Sequence, residues 1–96
     1  MYGTVARMRV RQGAAEAFQQ VAREIGVGRS PGQVGVIAYQ MDNDPNEFYL
    51  AVIFESREAY IANAQSPEQH ERFLKLMSVL EGEPEWHDGE IVYHTL

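Results

Sequence analysis

The sequence predicts a single α+β domain with the element order βαββαβ. Two observations point there. Residues 2–11, 34–41 and 48–54 read as strands, and residues 91–96 form a last run rich in β-branched side chains. Stretches with helical spacing separate the first run from the second and the third from the last. A chain of 96 residues suits one domain with one core, so 1–96 is taken as a single unit.

Within 2–11, Tyr2, Thr4, Ala6, Met8 and Val10 share one face, while Val5, Arg7, Arg9 and Arg11 share the other. Gly13 breaks the strand. Ala14, Ala15, Phe18, Val21, Ala22 and Ile25 then recur at spacings of three and four, with Glu16, Gln19, Gln20, Arg23 and Glu24 opposite. That is an amphipathic helix, with Gly26 or Gly28 as its left-handed cap. Residues 29–32, Arg-Ser-Pro-Gly, are turn chemistry. The second strand follows at 34–41, a polar turn at 42–46 and the third strand at 48–54, and so short a loop implies an antiparallel hairpin.

Ser56 can cap a short helix over 57–64. Ser66, Pro67 and Gln69 mark a second start, with Ser at the cap, Pro at the first helical position and Gln where a capping box places it. The longer helix carries Phe73, Leu74, Met77 and Leu80 on one face and stops near Gly82 or Pro84. Residues 86–89 read as a loop and 91–96 as the last strand.

This is the ferredoxin-like, split βαβ order, which places the helices on one face of a four-stranded antiparallel sheet with the first and third strands central. A sheet left open to water on its other face should alternate cleanly with polar residues. The third strand does not, because Phe48, Leu50, Val52 and Phe54 are opposed by Tyr49, Ala51 and Ile53. A second copy packed sheet to sheet would cover that face, so a homodimer is expected, with other oligomers as alternatives.

Charge and composition exclude several classes. A formal charge of −6 and the lack of aromatic residues among Arg7, Arg9 and Arg11 argue against nucleic acid, whose binding begins with basic contacts to phosphate. Those arginines are expected to pair with acids on neighbouring strands or across a dimer seam. With no cysteine there are no disulfides or thiolate chemistry. Arg7 arrives before any apolar run long enough for a signal or a membrane span, so no membrane partner and a cytoplasmic location are expected.

From Phe54 through Glu55-Ser56-Arg57-Glu58-Ala59-Tyr60-Ile61-Ala62-Asn63 to Ser66-Pro67-Glu68, the chain resembles the antibiotic biosynthesis monooxygenase superfamily. The resemblance covers nearly the whole chain. It implies a dimeric α/β barrel of two ferredoxin-like sheets, no cofactor, and oxygenation of a small aromatic or quinol-like molecule. It also implies a pocket between sheet and helices, with Thr4, Ala6 and Met8 on the floor, Asn63 and His70 on the walls, and Phe54, Tyr60 and Phe73 among the substrate-binding residues. The chain departs from the family pattern where members often have Trp at the place of Phe54 and His at those of Asn63 and Glu68. Haem-degrading relatives use an Asn, a Trp and a His at places that hold Ala6, Asn63 and Phe73 here, so haem cleavage is not expected.

His70 precedes Phe73 and Leu74 by one helical turn, which predicts an inward imidazole able to take a proton from a phenol or quinol. The resulting anion is the species that reacts with dioxygen, and Asn63 can donate to a developing oxyanion. Each residue has a plainer reading: a helix-start histidine also suits a solvent-bonded rim position, and Asn63 a C-terminal cap. Adjacent His87 and Asp88 do not make a metal motif, and none is expected. Trp86 is expected to pack as a lid. The rival to an oxygenase is a binding or stress-response dimer that holds a small apolar ligand without turnover.

Overall fold

A computed structural model describes residues 1–27 and 30–96, with the backbone alone at 25–27. Strand β1 spans Tyr2–Arg9, helix α1 Ala15–Val27, β2 Gln33–Met41, β3 Asp44–Phe54, α2 Arg57–Ala64, α3 Pro67–Val79 and β4 Glu85–Glu90. The sheet is antiparallel in the order β2-β3-β1-β4, so the first and third strands are central, and the three helices complete an α+β ferredoxin-like arrangement. No helix among the described residues is long and apolar enough to cross a membrane.

Alternation along β1 fills the layer between sheet and helices. Ala6, Met8 and Val10 are buried with Phe18 of α1, Phe48 and Leu50 of β3, and Leu76 and Leu80 from α3 and its cap. The Phe18 and Phe48 rings lie 4.4 Å apart, tilted by 41°, close enough to add an aromatic contact to their burial. The opposite sheet face exposes Val5, Ile37 and Tyr39, the last by 55%. Toward one end of that face Arg7 pairs with Glu47 and Glu85, and Arg9 with Asp44 and Glu81, so these arginines meet acids on both sides of β1.

The final strand lies earlier than its composition suggests. It is Glu85–Glu90, which includes the Trp86-to-Gly89 segment expected to be a loop, while 91–96 form no regular element. An edge strand exposed along its whole length tolerates charge, which also discourages pairing with other chains. The β-branched run after it has higher strand propensity but forms no ladder; Ile91 N–H bonds to the Met1 carbonyl at 2.9 Å, and Tyr93, His94 and Leu96 line a surface hollow with Gly3 and Val5 of β1. The hairpin is also tighter than expected, since β3 begins at Asp44 and not at residue 48. Helix α1 continues through Gly26 to Val27; Gly28 lies outside the described residues.

The starts of α2 and α3 are built from serine caps. Ser56 Oγ accepts from Ala59 N–H and Ser66 Oγ from Gln69 N–H, each at 3.1 Å. The turn into β2 needs Gly32, whose φ is +80° and where a Cβ would meet Ala59 Cβ at 2.6 Å. That close approach draws the start of β2 against α2.

Candidate functional site

Beneath α2 and the first turns of α3 the layer is not filled. A cavity of about 390 Å³ opens there, large enough for a small ligand. Leu50, Val52 and Phe54 of β3 supply its apolar floor, with Phe73 and Leu76 of α3 facing them and Trp86 at the β4 side. Tyr60 stands across Phe54, with ring centroids 5.6 Å apart and nearly perpendicular planes.

Thr4 is 5% exposed and lines the cavity, yet its hydroxyl oxygen has no hydrogen-bond partner. Gln33 lines the same cavity, and its Nε2 is likewise buried and unpaired. A buried polar atom without a partner costs about 1–3 kcal/mol, so two at one cavity mark a place where a ligand would complete the bonding.

Gln33 reaches the cavity through a backbone irregularity. Strict alternation would place it opposite Val36, on the outer face. The β2–β3 register, however, passes from Gln33↔Phe54 to Gly35↔Ile53, leaving Val34 as an extra residue. Such a bulge turns the chain by one position and re-aims Gln33 inward. Gly35, inside a strand-like run, is the signal that could have found it.

Around Gln33 a polar cluster joins three elements. Gln33 Oε1 accepts from Ser30 N–H at 3.3 Å, and Arg72 donates to Ser30 Oγ at 3.0 Å, Asn63 Oδ1 at 3.2 Å and Gln69 Oε1 at 3.2 Å. Asn63 Nδ2 donates to Gln69 Oε1 at 3.3 Å. Gln69 therefore turns its side chain into this cluster and does not return it to the helix start as a capping box would. Asn63 is not a helix cap; Gln65 is.

The other end of the cavity carries Tyr60 and Asp88, whose hydroxyl and carboxylate are joined at 2.8 Å. Burial first, and then the bond to Asp88, push the Tyr60 phenol up to about 12. The nearby Thr4 hydroxyl acts weakly the other way without meeting hydrogen-bond geometry.

Of the residues named from sequence, Thr4, Phe54, Tyr60, Asn63, His70 and Phe73 line this one cavity. Ala6 and Met8 do not line it; they are 0% and 1% exposed within the dense core, one and two steps further along the same strand face. His70 lines the cavity from an exposed position at its rim. The buried stripe of α3 is centred on Leu76, while Leu74 is 56% exposed, which rotates His70 toward the mouth. Trp86 borders the cavity and is 40% exposed. Gln33, Arg72 and Asp88 were not anticipated. Among the described residues no three His, Asp or Glu side chains stand together in a way that could hold a metal ion.

Solved structures share this architecture. One from Nitrosomonas europaea, named for antibiotic biosynthesis monooxygenases, has a TM-score of 0.82 at 20% identity, covering 97% of this chain and 100% of its own. SnoaB, a cofactor-independent oxygenase from Streptomyces nogalater, has a TM-score of 0.85 at 17% identity over 97% of this chain and 94% of its own. A Chloroflexus aurantiacus protein named for the same activity gives 0.81 at 20% identity, over 98% and 95%. No curated protein matches the chain. At these identities the likeness is one of fold, but the family model for antibiotic biosynthesis monooxygenase matches residues 1–78, and the chain belongs to that family.

Proposed function

We propose that this protein is a cofactor-independent oxygenase of a small aromatic, quinol-like compound and that it works as a homodimer. The observation that carries this reading is the cavity itself: aromatic and aliphatic walls suited to a flat ring, with unpaired buried polar atoms suited to ring oxygens. The similarity in fold to SnoaB supports the cofactor-independent chemistry. The apolar outer face around Val5, Ile37 and Tyr39 supports the dimer, since two such faces would exclude water from each other.

In this reading His70, at the mouth, takes the proton from an anthrone- or quinol-type substrate. The carbanion or phenolate that remains gives its electrons to dioxygen. For an anthrone, one oxygen atom becomes the new ring carbonyl and the other leaves as water with the two hydrogens of the oxidised carbon, so the substrate supplies every electron. Asn63 retains one amide N–H without a partner among the described residues, and this group donates to the developing oxyanion.

The test is oxygen uptake by metal-free protein with a panel of hydroquinones and anthrones, with His70→Ala and Asn63→Ala alongside. Uptake that falls at least tenfold in both variants is the expected result. Uptake that His70→Ala leaves unchanged removes the histidine from the chemistry. Ligand binding with no uptake by any panel member assigns the cavity to a binding dimer.

A further inference from the structure

The two residues that carry unpaired atoms line the cavity from different strands, Thr4 from β1 and Gln33 from β2, and their neighbours differ in charge. Thr4 is level with Val52 and Val36 across the sheet, whereas Gln33 is level with Phe54 on β2, two strands away from β1. With strands ~4.8 Å apart and ~3.3 Å of rise per residue, the two Cα atoms are about 12 Å apart. A ligand lying over Leu50, Val52 and Phe54 would therefore meet one polar group at each end.

The Gln33 end is cationic and donor-rich. Gln33 offers an N–H, and Arg72 beside it bonds only to the neutral oxygens of Ser30, Asn63 and Gln69. No carboxylate pairs with Arg72 among the described residues, so the guanidinium beside Gln33 is held by neutral oxygens alone. A partly buried guanidinium without a counter-charge favours an anionic oxygen nearby. The Thr4 end is the reverse, because Asp88 lies there and would repel an anion, while the Thr4 hydroxyl can exchange a hydrogen bond with a neutral one.

We infer that the cavity is a receptor with two unlike ends, for an aromatic molecule that bears a negatively charged oxygen at the Gln33–Arg72 end and a neutral hydroxyl at the Thr4 end. The inference rests on the cavity being the ligand site, as in the proposed function, and makes Gln33, Arg72 and Thr4 the residues that set specificity and orientation. Its substrate class is a hydroxylated aromatic acid, or a phenol bound as its anion. Oxygen chemistry is not required for it to hold.

Equilibrium binding without oxygen separates it from the oxygenase reading, and Trp86, the only tryptophan, reports from the cavity wall. Fluorescence titration would compare 6-hydroxy-2-naphthoate with 2-naphthoate, which lacks the hydroxyl, and 2-naphthol, which lacks the carboxylate. The bifunctional ligand is expected to bind about tenfold more tightly than either of the others, since each loss leaves a buried group unpaired. Thr4→Val should erase the preference over 2-naphthoate and keep that over 2-naphthol; Arg72→Met and Gln33→Met should do the opposite. Equal binding of the three ligands, no binding of any, or preferences that survive the folded variants would overturn the assignment. If Arg72→Met does not fold, Gln33→Met and the unaltered protein still decide it. Oxygen uptake on other substrates with failure here would leave the oxygenase reading standing and remove this one.

Discussion

Between the sheet and the helices the same strands floor two unlike regions. At one end Met8, Val10, Phe18, Phe48 and Leu80 are closed against each other with almost no exposure. At the other, Thr4 and Phe54 from those same central strands look into an open cavity. The difference lies above the sheet. Phe18 of α1 reaches the floor at the dense end, while α2 buries no residue fully and stands over the hollow one. Stability is concentrated where side chains interlock, and the site lies where two buried polar atoms are left waiting.

Phe18→Ala is the strongest challenge to that division. It should cost about 3–5 kcal/mol, measured by urea denaturation, and a cost below about 1 kcal/mol would deny the dense end its role. At the hollow end the sign should reverse. Thr4→Val removes an unpaired hydroxyl at constant shape, so thermal unfolding should show a gain of about 1–2 kcal/mol. A loss instead would mean that the hydroxyl has a partner in solution.

A smaller effect tests the roof. Ser66→Ala removes the acceptor for the Gln69 N–H and should cost about 1 kcal/mol, with weaker ligand binding because α3 enters the cavity wall just beyond that cap. The smallest is confined to alkaline solution. The Tyr60 phenol is raised from 10.0 to about 12 in the folded protein, so folding holds the proton more tightly than the unfolded chain does. Stability is then fully present below about pH 10 and declines as pH rises toward 12. Tyr60→Phe should flatten that decline, at a small cost at neutral pH from the lost bond to Asp88, as read from denaturation midpoints across the range.

The dense end was largely legible in the sequence. Alternation in 2–11 and the spacing around Phe18 identified the facing surfaces, and the serines at 56 and 66 identified the starts of α2 and α3. Much of the cavity wall was anticipated too, through Thr4, Phe54, Tyr60 and Phe73, but from the family resemblance and not from periodicity. What escaped depended on events that periodicity does not carry. The bulge at Val34 reverses the face of Gln33. Arg72 looks like an ordinary solvent-facing helix residue until Ser30 and Asn63, distant in sequence, are brought beside it. The last strand was misplaced because an exposed edge selects charge over β-branched side chains. Ala6 and Met8 show the limit of a face as a guide: sharing Thr4's side of the strand did not mean sharing its cavity.

The strand order also dictates when the sheet can form. β2 and β3 are joined by a two-residue turn and can pair while their neighbours are still disordered. β1, though made first, lies between β3 and β4 and must wait for both; its pairing brings together residues as distant as Tyr2 and Glu90. Such non-local closure slows folding. During synthesis β1 would remain without its sheet partners until the hairpin is made, and its second edge would stay open until β4 follows.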